Sequence, residues 1–86
     1  MILADKIISL RKRNGWTQEA LAEKLNVSRQ AVSKWEGAQS MPDMEKILQM
    51  SRWFEVSVDY LMKEELVESD YVEDTYSSVK KVSLEL

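Results

Sequence analysis

The sequence contains neither cysteine nor histidine. Without cysteine there can be no disulfide framework and no thiolate metal site, and the reducing interior of a cell is the compatible compartment. Without histidine, imidazole-bound zinc, a His general base and any Ser-His-Asp relay are excluded, and with them most common hydrolytic machinery. Only carboxylate or lysine chemistry remains. The carboxylates near the C-terminus have no apolar pocket to raise a pKa and no fixed spacing, so no catalytic activity and no cofactor are expected. Long apolar runs are missing too: the opening "MILADKIISLRKR" is periodic and charged, unlike a signal peptide, and no membrane segment is expected. The expected location is cytoplasmic. With 86 residues the chain can bury one core and little more.

Charge is unevenly distributed. The net charge is -3, yet residues 1–35 carry seven Lys or Arg (Lys6, Arg11, Lys12, Arg13, Lys24, Arg29, Lys34) against Asp5, Glu19 and Glu23, a balance of +4. Residues 64–86 carry seven acids against Lys80 and Lys81, a balance of -5. A polyanion responds to the field within about 8–10 Å, so the split matters more than the total. A solvated acidic tail is the plain reading of the second segment.

Helical periodicity and caps organise the first 63 residues. Leu3, Ile7 and Leu10 repeat at helical spacing, and Arg11, Lys12 and Arg13 close the last turn before Asn14-Gly15, where a helix C-terminus favours cations and a left-handed residue. Thr17, Ser28 and Ser57 each follow an apolar residue (Trp16, Val27, Val56) and precede another four positions on (Leu21, Val32, Leu61). This pattern is an N-cap with a hydrophobic staple, occurring three times. Pro42 and Asp43 suit the first turn of a further helix carrying Met44, Ile47, Leu48 and Phe54 inward. Five helices are therefore predicted, near 2–13, 17–25, 28–36, 43–54 and 57–63, as a compact all-α bundle. Beyond Lys63 the helical period is lost, and Val82, Leu84 and Leu86 alternate with polar residues. Residues 1–63 are expected to form a domain. Residues 64–86 read as an acidic tail: an edge strand, a dimerisation segment or the stub of a longer chain.

The gap between the second and third caps is too short for two antiparallel helices, so these must cross steeply. From Gln18 to Gly37, apolar or small residues fall at Leu21, Ala22, Leu25, Val27, Val32 and Trp35, with Asn26 at the turn as the best non-glycine candidate for positive φ. This is the sequence form of a helix-turn-helix. With Val32 and Trp35 inward, helical geometry turns Arg29, Gln30, Ser33 and Lys34 away from the core. Arg can grip guanine O6 and N7, Gln can take adenine N6 and N7, and Ser and Lys reach base edges or phosphates. Gln18 stands at a helix N-terminus, where backbone amides favour phosphate.

Gln18-Glu19 with Leu21-Ala22, then "VSRQAVSKWE", Pro42-Asp43 and "VSVDYLM", resemble the phage-repressor-type (Cro/repressor, or XRE-type) helix-turn-helix family over roughly residues 3–63. Together these marks are diagnostic, although each alone is weak. The resemblance implies a lambda-repressor-like five-helix domain in a bacterial or phage transcriptional regulator, more often a repressor. The implied partners are a second copy of the chain and a near-palindromic operator in double-stranded DNA, with no small-molecule ligand evident. It implies base contacts from Ser28, Arg29, Gln30, Ser33 and Lys34, and phosphate contacts from Gln18 and the loop of Gly37, Gln39, Ser40 and Met41. It also implies a structural salt bridge between Arg11 and Glu36. Three positions depart from the family. Asn26 and Glu55 stand where glycine is usual, Glu55 being the poorer fit and liable to distort its corner. Ala38 stands where the loop glycine is usual, with Gly37 beside it, so that the loop amides are expected to sit differently.

Plainer roles compete for the same residues. Ser28 is first of all a cap, and Arg29, Gln30 and Lys34 taken singly could be solvated surface. Trp16 and Trp35 are core or staple residues rather than stacking platforms, and Lys12 and Arg13 suit the helix dipole. The rival function is a protein-interaction module, such as an antitoxin whose acidic tail binds a protein partner. A dimer is expected through the fifth helix (Val58, Leu61, Met62) or through the tail.

Overall fold

Local signals at helix ends account for most of the architecture. The computed structural model describes residues 1–63, which form α1 (Leu3–Arg13), α2 (Gln18–Leu25), α3 (Arg29–Glu36), α4 (Met44–Phe54) and α5 (Val58–Met62). Four starts are capped by side chains: Thr17 Oγ1 accepts from Ala20 N at 3.0 Å, Ser28 Oγ from Ala31 N at 3.1 Å, Asp43 Oδ1 from Lys46 N at 2.9 Å and Ser57 Oγ from Tyr60 N at 2.9 Å. Each cap satisfies an amide that has no partner inside its helix. The predicted helices begin one residue early because they included these caps.

Four helix ends share one geometry. At Gly15, Asn26, Ala38 and Glu55 the backbone turns left-handed, with φ of 73°, 57°, 57° and 58°. Each time the next amide reaches back across the turn, as in Trp16 N to Arg11 O (3.0 Å), Val27 N to Ala22 O (2.9 Å), Gln39 N to Lys34 O (2.9 Å) and Val56 N to Ser51 O (3.0 Å). These are Schellman closures, and one has glycine at the left-handed position. Glu55 leaves its corner undistorted, contrary to the sequence expectation: the two backbone bonds form around it, and the strain is carried in its own φ. At the end of α3 it is Ala38 that turns left-handed, while Gly37 has an ordinary φ of -90°. A left-handed non-glycine residue costs about 1–2 kcal/mol, partly offset by the chain entropy that glycine would lose on folding. Ala38→Gly and Glu55→Gly are therefore each expected to stabilise the chain by about 0.5–1 kcal/mol, read as a higher midpoint in thermal melting.

The staples then direct the helices onto one core. Leu3, Ile7, Leu10, Leu21, Ala22, Leu25, Val32, Trp35, Ile47, Met50, Phe54 and Leu61 form it, with Trp16, Val27, Val56, Val58 and Met62 packed against its edges. Two sequence expectations are corrected here. Met44 and Leu48 are 54% and 42% exposed, because the buried line of α4 runs through Ile47, Met50 and Phe54 and these two lie to one side of it. Leu61 is completely buried in its own chain and is not available to a partner. Val58 and Met62 pack against the edge of the core and keep part of their surface exposed. The acidic segment 64–86, with the strand expected at Val82, Leu84 and Leu86, lies outside the described residues.

Candidate nucleic-acid interface

Helix α3 is divided by burial. Val32 is fully buried and Trp35 nearly so, while Arg29, Gln30, Ser33 and Lys34 are all exposed. Two apolar anchors three residues apart fix the rotation of the helix about its axis, and that rotation decides which side chains face solvent. Helices α2 and α3 pack chiefly on each other and are joined through the left-handed Asn26.

A chain of polar contacts ties the N-terminus of α2 to both ends of α3. Arg11 grips Glu36 in a fork, Nε donating to Oε2 at 2.6 Å and Nη2 to Oε1 at 3.1 Å, and its Nη1 donates to the Trp16 carbonyl at 2.8 Å. The two side chains are 12% and 7% exposed, so the pair is largely shielded from water. Gln18 Nε2 donates to Glu36 Oε1 at 2.9 Å, which places the Gln18 side chain over the same carboxylate. Its carbonyl faces Arg29 Nη1 at 3.5 Å, and Arg29 Nε lies 3.6 Å from Glu19 Oε2. Gln18 is thus half-buried and anchored rather than a freely hydrated surface amide.

In the loop after α3, residues Gly37 to Met41 are exposed. The Gly37 amide is already used, donating to Ser33 O at 2.9 Å, and the Gln39 amide is used by Lys34 O. The Gly37 amide is thus engaged at the end of its own helix in this conformation. The Gln39 side chain and Ser40 hydroxyl remain as donors, and among the described residues no backbone bond engages the Ser40 or Met41 amide.

Several organising residues gave no sequence signal. Lys6 is 3% exposed, its Nζ donating to the Tyr60 carbonyl and lying 4.8 Å from the Tyr60 ring centre, so it ties α1 to α5. Lys46 Nζ donates to Leu25 O at 2.9 Å, closing the C-terminus of α2 from α4. Lys24 Nζ lies over both Trp16 and Trp53, at 4.6 and 4.5 Å. Each joins residues far apart in sequence, and nothing local marks such pairs.

Residues 7–61 match the family model described as "Helix-turn-helix". The chain belongs to the helix-turn-helix family. Among its relatives, this helix-turn-helix chain is 42% identical over 79 residues to the HTH-type transcriptional activator BcrR of Enterococcus faecalis, covering 91% of the chain and 38% of that protein. It is 32% identical over 69 residues to repressor protein C2 of Salmonella phage P22, covering 80% of the chain and 32% of that protein. Its fold superposes on the P22 c2 repressor in complex with a synthetic operator with a TM-score of 0.67 and 33% identity, covering 71% of this chain and 92% of that one. The biofilm regulator SinR in complex with DNA gives a TM-score of 0.64 and 29% identity, over 71% and 98% of the two chains. The chain spans between 32% and 57% of the length of these curated relatives. No described helix is long and apolar enough to cross a membrane.

Proposed function

We propose that this chain binds double-stranded DNA sequence-specifically, as the DNA-reading domain of a transcriptional regulator acting in the cytoplasm without catalysis. The observation that carries the reading is the split of α3: Val32 and Trp35 buried on one side, Arg29, Gln30, Ser33 and Lys34 exposed on the other. A helix so anchored presents donors and acceptors to a major groove without disturbing its own core. Ser28, Arg29, Gln30, Ser33 and Lys34 would meet base edges, with Ser28 keeping its cap. Gln18, Gln39, Ser40 and Met41 would meet phosphates. The relatives' names support regulation, and they include both an activator and a repressor. The sign of regulation therefore need not reside in this fold.

One copy offers few contacts, so the reading includes a homodimer on half-sites about 34 Å apart. The test is selection of bound fragments from a random duplex pool at two salt concentrations, which reports preference, symmetry and the number of phosphates neutralised. Arg29→Ala or Gln30→Ala should then cost about 1–3 kcal/mol on the selected duplex and relax preference at one position per half-site. Gln18→Ala should weaken all sequences alike. Equal losses on selected and random duplexes for both kinds of change would show that α3 does not read bases.

A further inference from the structure

We propose that Glu19 is a positioning residue for Arg29, holding its guanidinium back against the start of α2 so that Arg29 contributes little to binding DNA that lacks its matching base. The inference rests on the DNA-binding reading and adds a source of selectivity to it. Arg29 is the first residue of α3, and its side chain is directed toward α2, with Nε 3.6 Å from Glu19 Oε2 and Nη1 3.5 Å from Gln18 Oε1. The second contact is long, but its acceptor is held in place, because Gln18 is fixed by Glu36 and Glu36 by Arg11. The first is soft: the Arg29 and Glu19 side chains are 47% and 71% exposed, and an ion pair so open to water is weak.

The difference between these two contacts produces the effect. A guanine edge offers two acceptors to a guanidinium and can outcompete a single loose carboxylate. A passing phosphate can accept the same fork, but it is an anion and is repelled by the adjacent Glu19 charge, whereas a guanine edge is neutral. Glu19 therefore lowers nonspecific attraction more than matched binding. Two plainer roles for Glu19 are open to the same side chain: an acid in the first turn of a helix interacts favourably with the helix dipole, and any acid near DNA repels it. Neither of these depends on Arg29.

The test compares the full chain with Glu19→Gln, Arg29→Ala and the double variant, on a random-sequence duplex and on the duplex selected from a random pool. Glu19→Gln should tighten random-duplex binding about two- to fivefold more than selected-duplex binding and steepen the salt dependence on random duplex by up to about one released ion. In the Arg29→Ala background the same change should leave the ratio between the two duplexes unaltered. Melting of the DNA-free Glu19→Gln chain should stay within about 2 °C of the parent, since the residue is exposed. Equal shifts of the duplex ratio with and without Arg29 would overturn the proposal and leave the DNA-binding reading standing. A parent chain that binds neither duplex would overturn both.

Discussion

Arg11→Ala is expected to lower the stability of the DNA-free chain by about 3 kcal/mol, because removing one partner of a largely buried ion pair leaves the other charge without compensation. The guanidinium makes three hydrogen bonds, two to Glu36 and one to the Trp16 carbonyl, so its loss unfastens α3 from α1 and frees the turn before α2. Gln18 still donates to Glu36, which keeps the loss toward the lower end of the usual range of about 3–5 kcal/mol. For a domain of this size the melting midpoint should fall by roughly 12–24 °C. Arg11→Lys should recover only a minor part, since an ammonium cannot span both carboxylate oxygens and the carbonyl together. Replacing both partners, Arg11→Met with Glu36→Leu, should restore most of the stability. It should not restore DNA affinity, because Gln18 then loses the carboxylate that holds it. A midpoint unchanged in Arg11→Ala would show that the pair contributes nothing to the fold.

Leu61→Ala is expected to cost about 3 kcal/mol, within the range of about 2–5 kcal/mol for emptying a packed leucine site. Leu61 is fully buried and is the one buried residue of α5, so it is the main apolar anchor of that short helix. The loss should be the same at every protein concentration, because the contacts lie within one chain. A penalty that vanished on dilution would instead place Leu61 between two copies. The fifth helix is also tied down by Lys6, whose buried ammonium is bonded to the Tyr60 carbonyl, so Leu61→Ala should loosen α5 without freeing it completely.

The helix starts were legible in the sequence because their causes are local. A hydroxyl or carboxylate at the cap reaches an amide three residues on, and the staple pair lies within one turn of it. The outward face of α3 was legible for a similar reason: Val32 and Trp35 are the large apolar residues of that helix, so only one rotation buries both. In α4 the same logic failed. Met44, Ile47, Leu48, Met50 and Phe54 are too many apolar residues for one stripe, and periodicity alone could not exclude Met44 and Leu48. For the fifth helix the pattern was too short to choose: its apolar residues could meet either a partner or the chain's own core, and only for Leu61 does burial within the chain decide.

The sequence by itself determined five helices, four of them with capped starts, a short turn between the second and third, and the side chains that α3 presents, because each depends on atoms within a few residues of one another. Only the tertiary structure decided how those side chains are held. The line from Arg11 through Glu36 and Gln18 to Arg29, the Lys6 and Lys46 ties between helices, and the burial of Leu61 all join residues distant along the chain. Their partners are fixed by how whole helices pack, and that is a property of the folded core rather than of any short stretch of sequence.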